Sequence, residues 1–426
     1  MHKKAYLFGS VFLILSLIGP AAADVGPTYA VKNAKIVPVI GPPIDKGVLI
    51  IRNGLIEAVG LLDKVAIPED AEVIDADGLI AYPGLISTHT NLFLEVARPA
   101  TGQGSPEFTA QQALVQDRPA ETPELCVFKL IKPSKAAIDS FLKIGVTTVL
   151  VAPNRGIIQG QSVLLNLNGE KAEPMVLKNP VALHINFTTA RGTYPSSLMG
   201  TIAFLRQSFL DAEYYAASQA QYAKILKGMK RPEYDPFLEA LVPFVTEKKP
   251  VIFQCNNLED IKRALKIIEE FKLNALLSHA NEAWRDAAIL KKTPIPLLVT
   301  LDFRPPNSSQ YVNQGADLRK KAEAEIYPAN AANLAKEGIK FALTTFGLND
   351  GAAVLKNIQA AIRAGLPKDE ALRALTIQPA QYLGLSQQLG SLEPGKIANL
   401  ILTKGALFDE KTQVDKVFVD GVLWKF

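Results

Sequence analysis

The chain has 426 residues, of which 48% are hydrophobic and 21% are charged, and its formal net charge is +4. This length and composition allow a large buried core and predict one large domain with a smaller one. No run of Lys and Arg is interleaved with aromatic residues and the net charge is small, so nothing in the sequence indicates a nucleic-acid partner and we expect none.

The first 23 residues predict a Sec signal peptide. Lys3 and Lys4 give a basic start, residues 5–19 form an apolar run, and three alanines ending at Ala23 supply the small-residue cleavage pattern. A membrane anchor is the alternative, but the apolar run is short for a membrane span. We therefore expect cleavage after Ala23, no membrane anchor, and a periplasmic or secreted mature protein.

Two stretches at opposite ends of the chain predict small β-strands. Residues 28–78 alternate short apolar runs with tight turns at Asn53-Gly54 and Asp77-Gly78, and residues 389–426 continue the same pattern. Segments of this kind at both ends of a chain often complete one sandwich. We expect a composite β-sandwich domain formed by residues 24–80 and 381–426.

Residues 81–380 alternate short apolar runs with helical stretches. This alternation predicts a parallel sheet closed as a (β/α)8 TIM barrel, so the fold class is α/β with an added β-sandwich domain. The loops over 93–123 and 304–327 are long and rich in Pro, Gly, Gln and Asn. They are candidate lids or partner surfaces over the barrel mouth.

Three histidines each close an apolar run: His89, His184 and His279. Because the chemistry of such barrels lies at the carboxyl ends of the strands, we expect the three to share one site. Imidazole is the commonest neutral metal ligand and a usual proton shuttle near neutral pH. Asp302 ends a further apolar run. We therefore take His279 and Asp302 as the candidate catalytic residues, with Asp302 as a candidate acid or base.

Cys126 and Cys255 are the two cysteines. In an oxidising compartment they can form one disulfide, but a single pair so far apart in sequence is no disulfide framework. The sequence favours two buried thiols and leaves the disulfide as the alternative.

Residues 81–91, Ala-Tyr-Pro-Gly-Leu-Ile-Ser-Thr-His-Thr-Asn, resemble the first barrel strand of the amidohydrolase superfamily, where Pro-Gly-Leu-Ile-Asp-x-His-x-His is usual. The resemblance covers essentially all the mature chain and is greatest to the imidazolonepropionase-like branch. Further motifs that carry it lie at residues 145–149, 158–162, 192–195, 199–200, 378–384 and 390–396. The resemblance implies a hydrolase that acts on carbon–nitrogen bonds other than peptide bonds.

The resemblance also implies metal ligands, and several of these are replaced. In the family, one metal is held by two histidines of strand one and an aspartate of strand eight. The other is held by a strand-four lysine or glutamate and by histidines of strands five and six. This chain keeps His89 and His279, has His184 at the strand-four position, and is degenerate at three others: Asn91, Gln254 and Phe346. Because the lost aspartate is both ligand and general base, we do not expect the ordinary two-metal mechanism.

Three interpretations of the site stay open at this point. In the first, the chain is a catalytically silent binding protein or the partner subunit of an active paralogue. In the second, His89, His184 and His279 hold a single Zn²⁺ with an open position, and hydrolysis is impaired or atypical. In the third, the histidines are satisfied polar residues in a packed barrel mouth. The expected cofactor is one Zn²⁺ or none, and the expected partners are a small-molecule ligand or substrate and either a second copy or a paralogous amidohydrolase.

Overall fold

The computed structural model describes residues 26–94, 122–189, 194–225, 227–228, 230–304 and 326–426. The signal peptide expected over 1–23 and most of the loops 93–123 and 304–327 lie outside these residues. Cleavage, location and the roles of the loops therefore stay predictions. Within the described ranges, no helix is long and apolar enough to cross a membrane.

An eight-stranded sheet is built from both ends of the chain. Its strands are β1 (Tyr29–Ile36), β2 (Ile44–Arg52), β3 (Leu55–Leu61), β4 (Glu72–Asp75), β5 (Ile80–Pro83), β16 (Leu400–Lys404), β17 (Gln413–Val419) and β18 (Val422–Lys425). Their order is β18-β17-β16-β5-β1-β2-β3, with β4 also paired to β1. The antiparallel pair β5–β16 joins the two chain ends in one sheet. The exact domain boundaries at 80 and 380 stay a prediction.

The other described strands form a four-stranded and a six-stranded sheet. They are β6 (Leu85–Thr90), β7 (Val146–Val151), β8 (Ile158–Gln161), β9 (Val163–Asn166), β10 (Val176–Lys178), β11 (Leu183–Asn186), β12 (Val251–Cys255), β13 (Ala275–His279), β14 (Leu297–Thr300) and β15 (Phe341–Thr344). Strands β6 and β7 are parallel, and β11 to β15 form an unbroken parallel series. Every residue of β6, β7, β12 and β13 is buried, as expected for parallel strands covered on both faces.

The expected α/β class is confirmed, but among the described strands the ladder does not close into a barrel. Two short strands, β8 and β9, stand between β7 and β11 in place of one parallel strand. Strand β8 is antiparallel to β11, and β9 is antiparallel to β7. At the other junction, side chains join β6 to β15: Ser87 Oγ lies 2.8 Å from Thr345 Oγ1, and Thr88 Oγ1 donates to the Leu343 carbonyl at 3.1 Å.

The helices lie between the strands and after β15. They are α1 (Lys135–Leu142), α2 (Ala172–Met175), α3 (Leu198–Lys224), α4 (Pro236–Val245), α5 (Leu258–Phe271), α6 (Ala287–Lys292), α7 (Asn330–Lys336), α8 (Gly351–Arg363), α9 (Lys368–Ala374) and α10 (Ile377–Tyr382), with short 3-10 turns at Val127–Leu130, Ala283–Asp286 and Tyr327–Ala329. Helix α5 shows why they form: Asn257 caps it by accepting from the Asp260 amide at 2.9 Å, and apolar residues at helical spacing bury one face.

Candidate functional site

The three histidines meet in the interior, on β6, β11 and β13. The ring centroids of His89 and His184 are 4.9 Å apart, and those of His89 and His279 are 5.4 Å apart. All three side chains are buried, with no residue more than 6% exposed. The parallel strands therefore bring together the three imidazoles that were expected to share a site.

The backbone turns sharply where β13 ends at this cluster. His279 and Ala280 have positive φ values of 69° and 42°, in the left-handed region that residues with a Cβ seldom adopt. Asn330 Nδ2 donates to the Ala280 carbonyl at 2.9 Å and holds the turn. A conformation of this kind costs about 1–3 kcal/mol, and such positions cluster at functional sites.

A continuous hydrogen-bonded chain of side chains connects two of the imidazoles. Asn186 Nδ2 lies 2.8 Å from Gln254 Oε1, and Gln254 Nε2 lies 2.9 Å from His279 Nε2. Ser278 Oγ then lies 3.2 Å from His279 Nδ1 and 2.7 Å from His89 Nδ1. Both ring nitrogens of His279 are thus engaged by protein groups. By contrast, His89 Nε2 and both nitrogens of His184 have no hydrogen-bond partner among the described residues.

Burial keeps the three imidazoles uncharged. It is the largest cause that lowers the pKa of His184 to about 3 and of His279 to about 4, although Asp302 acts in the opposite direction on His279. The pKa of His89 is also well below its ordinary value, because of burial and then because of the two neighbouring histidines. The site therefore offers neutral rings near pH 7.

The degenerate positions lie around the same cluster. The Phe346 ring lies against two imidazoles, with centroid distances of 4.6 Å to His89 and 4.7 Å to His279. Asn91 is buried, and its Oδ1 has no hydrogen-bond partner among the described residues. Gln254 fills its position with an amide that contacts His279. An aromatic ring therefore packs on the histidines at the position where the resemblance implies a carboxylate.

Asp302, the candidate acid or base, is held by a neighbouring cation. Its Oδ1 accepts from Arg304 Nε at 2.7 Å, and its Oδ2 accepts from Arg304 Nη2 at 2.5 Å. Arg304 Nη2 also donates to the Gly347 carbonyl at 2.9 Å, so the pair links the ends of β14 and β15. A carboxylate with both oxygens on one guanidinium is a poor proton acceptor. The catalytic role of Asp302 stays a prediction that this pairing weakens.

The residues of this site do not fit the metal set that the resemblance implies. Within the described part of the chain, no group of three or more His, Cys, Asp or Glu is arranged to hold a metal ion. Asn91 and Gln254 offer neutral amides, Phe346 offers no donor, and both nitrogens of His279 are already engaged. Of the three histidines, only His89 and His184 retain ring nitrogens without a partner among the described residues. Two imidazoles are fewer ligands than a structural or catalytic zinc takes from protein.

The cysteines do not contribute to the site. Cys126 and Cys255 are both free thiols in the structure, so the disulfide alternative is not observed. The expectation of two buried thiols holds for Cys255 and is wrong for Cys126, which is only partly buried. Cys255 is buried at the end of β12, and burial is the main cause that raises its pKa well above the ordinary value. A thiol in this state is a weak nucleophile and a weak metal ligand.

Two residues of the hydrogen-bonded chain were missed by sequence reasoning. Ser278 directly precedes His279, and Asn186 ends β11 two residues after His184. Their closeness to the histidines was a usable signal, because polar residues next to a site histidine at a strand end often orient it. Side-chain type alone does not show which of several such polar residues bonds to the ring.

In comparisons with known proteins, the chain is similar to amidohydrolases, and in particular to imidazolonepropionases. Residues 262–423 match the model of the amidohydrolase family. The imidazolonepropionase of Bacillus cereus is 24% identical over 381 residues, which is 85% of this chain and 83% of that protein. The imidazolonepropionase of Flavobacterium johnsoniae is 23% identical over 85% of this chain and 86% of its own length.

Solved structures agree with the sequence matches. An amidohydrolase from Thermotoga maritima is 27% identical, with a TM-score of 0.78 over 93% of this chain and 100% of that chain. A Xaa-Pro dipeptidase with methionine bound in its active site has a TM-score of 0.56 at 15% identity, over 94% of this chain and 100% of its own, which supports the fold alone.

Proposed function

We propose that this chain, an imidazolonepropionase-like member of the amidohydrolase family, binds a small molecule at its three histidines without the two-metal hydrolysis of the family. The observation that carries this proposal is the Phe346 ring, 4.6 Å from His89 and 4.7 Å from His279. By the family resemblance, that ring stands where an acid would both ligate metal and accept the proton of water. We propose on this basis that the site keeps its polar groups and has lost its base.

No other described group replaces that base well. The pKa values of His184 and His279, about 3 and about 4, make them weak proton acceptors near pH 7. Efficient general bases have a pKa near the working pH. Asp302 is held by Arg304 through both carboxylate oxygens. These features support binding over hydrolysis.

A second candidate function is atypical hydrolysis with a single Zn²⁺. The specific observation in its favour is that His89 Nε2 and both nitrogens of His184 are buried without a described partner. His279 would have to exchange its contact with Gln254 for the metal to complete a three-histidine set. In that arrangement Zn²⁺ would lower the pKa of a bound water toward neutrality.

Metal content and turnover separate the two functions. The full mature chain is purified without chelator, its zinc content is measured, and hydrolysis of a panel of cyclic amides is assayed. We expect well below one zinc per chain, no zinc-dependent hydrolysis, and a rise in melting temperature with at least one of the cyclic amides. One zinc per chain together with hydrolysis that is abolished by His184→Ala would sink the binding proposal and establish the second candidate.

A restored variant controls for the assay. Asn91→His, Gln254→His and Phe346→Asp together return the ligand types that the family resemblance implies. Because two imidazoles and a carboxylate then face the kept histidines, this variant should bind zinc and gain thermal stability from it. If the restored variant binds no zinc, the three replacements do not explain the loss of metal.

We further propose that the protein works outside the cytoplasm, in the periplasm or in the medium. This proposal is supported by residues 1–23, with their basic start, apolar run and terminal alanines. Fractionation of cells that express the full chain tests it, together with the N-terminal sequence of the exported protein. Retention of the uncleaved chain in the cytoplasm would contradict it.

A further inference from the structure

The hydrogen-bonded chain between Asn186 and His89 has a direction. Asn186 Nδ2 is a donor, so the Gln254 atom that it contacts at 2.8 Å is the acceptor Oε1. The amide nitrogen of Gln254 therefore faces His279 Nε2, at 2.9 Å. An amide nitrogen donates and does not accept. His279 Nε2 must accept this hydrogen bond, and the single hydrogen of the neutral ring then lies on Nδ1.

The tautomer of His279 in turn fixes the tautomer of His89 through the same hydrogen-bonded chain. The His279 Nδ1–H donates to Ser278 Oγ at 3.2 Å. The buried Ser278 hydroxyl needs an acceptor for its own hydrogen, and among the described residues His89 Nδ1, at 2.7 Å, is the one within reach, so the hydroxyl donates to it. A neutral His89 that accepts at Nδ1 carries its hydrogen on Nε2. That Nε2 is the buried atom for which the described residues provide no partner.

We infer that Gln254 is a positioning residue that fixes the tautomer of His89, so that the site presents an N–H donor where a metal ion would need a lone pair. The ring nitrogen of a metal-bound histidine is unprotonated. This arrangement rejects Zn²⁺ and favours a ligand with an acceptor oxygen, such as a carbonyl compound. The neighbouring neutral His184, with both nitrogens unpaired, supplies one further donor and one acceptor. The inferred ligand class rests on the proposed function, whereas the inferred tautomers of His89 and His279 do not.

Replacing Asn186 by Asp, at the outer end of the hydrogen-bonded chain, should reverse the direction of every hydrogen bond in it. In Asn186→Asp the side chain only accepts, so Gln254 must rotate its amide to donate toward residue 186 and must present Oε1 to His279. His279 then carries its hydrogen on Nε2 and accepts from the Ser278 hydroxyl. Ser278 Oγ accepts from His89 Nδ1–H, and His89 Nε2 becomes a free lone pair. Residue 186 is only partly buried, so a carboxylate there can stay ionised.

Heteronuclear NMR of histidine-labelled full-length mature protein tests the inference, because it shows which ring nitrogen carries hydrogen. We expect hydrogen on Nε2 of His89 and on Nδ1 of His279 in the natural protein, and the opposite pattern in Asn186→Asp. Affinity for Zn²⁺, measured by calorimetry, should rise in Asn186→Asp on the order of 10–100-fold, the usual range for a change in groups that orient a ligand. Asn349→Asp, at an exposed position after β15, adds the same charge and should change neither readout.

Hydrogen on Nδ1 of His89 in the natural protein would overturn the inference, whether or not Asn186→Asp folds. An unchanged tautomer in folded Asn186→Asp would overturn it as well. The expected tautomers in a protein that hydrolyses cyclic amides with zinc would sink the proposed function and the rejection of Zn²⁺, and would leave only the role of Gln254 in fixing the tautomers.

Discussion

At the scale of single residues, the site is governed by burial without compensating charge. Three imidazoles share one interior cluster, and Asp302, the acid whose charge acts on His279, is bound by Arg304. Charging any of these rings would place an uncompensated cation in the interior, which costs several kcal/mol. The cluster is therefore stable only in its neutral form.

The neutral cluster predicts a loss of stability in mild acid. The pKa values of His184 and His279 fall from 6.5 in the unfolded chain to about 3 and about 4 in the folded protein. Below pH 6.5 the unfolded chain binds protons that the folded protein excludes, so the free energy of unfolding falls as pH falls. Each histidine contributes a slope of about 1.4 kcal/mol per pH unit between its two pKa values. Urea unfolding from pH 7.5 to 5 measures the slope.

His184→Gln provides the control for this pH dependence. The variant removes one titrating ring and keeps a polar side chain, so its slope in the same range should be shallower by about 1.4 kcal/mol per pH unit. A slope that matches the natural protein would mean that His184 is not held neutral in the folded state.

The location of the histidine site was predictable from the sequence, but its internal bonding was not. Residues that close apolar runs lie at the carboxyl ends of parallel strands, and this rule placed His89, His184 and His279 together. The orientation of a side-chain amide or hydroxyl depends on its neighbours in space. The roles of Gln254 and Ser278 could therefore be recognised only from the three-dimensional structure. The Arg304 contact of Asp302 escaped notice because a pair two residues apart in a loop has no characteristic spacing.

At the scale of elements, the main difference from expectation is the β8–β9 segment. Its sequence, Ile-Gln-Gly-Gln-Ser-Val-Leu-Leu-Asn, is apolar enough for a strand, but apolarity does not encode strand direction. Strand β8 pairs with β11 and β9 pairs with β7, both antiparallel, with a single residue between them. Repeated βα units predict parallel neighbours, and this segment has no intervening helix to reverse the chain.

Gly160 is the residue on which the β8–β9 segment depends. Its φ is +103°, and a Cβ there would lie 2.5 Å from the Leu125 carbonyl oxygen. Gly160→Ala should therefore lower the free energy of unfolding by more than about 2 kcal/mol, because left-handed strain alone costs about 1–2 kcal/mol. Urea denaturation measures the change. Gly169→Ala, where a Cβ has open space, is the matched control and should stay within about 0.5 kcal/mol of the natural protein.

At the scale of the whole molecule, the two chain ends and the parallel strands form one connected structure. Strand β16 follows Asn399, whose buried side chain crosses from the eight-stranded sheet to the four-stranded one. Its Nδ2 donates to Thr148 Oγ1 at 3.0 Å and to Asn166 Oδ1 at 2.8 Å, and its Oδ1 accepts from the Asp420 amide at 2.8 Å. The sequence predicted that both ends share a domain, but it gave no sign of this polar contact between the sheets.

Asn399→Leu should weaken the connection between the two sheets. Leucine has nearly the same volume but leaves Thr148, Asn166 and the Asp420 amide without their shared partner. A buried polar group that loses its hydrogen bond costs about 1–3 kcal/mol, so the free energy of unfolding should fall by at least that amount. Urea unfolding is followed by far-ultraviolet circular dichroism and, in a Trp284→Phe background, by the fluorescence of Trp424, which then reports on β18. The two transitions should change from coincident to separated. Asn168→Leu removes only an exposed contact to Asp420 and serves as the control. Coincident transitions and an unchanged free energy in Asn399→Leu would show that apolar packing alone holds the sheets together.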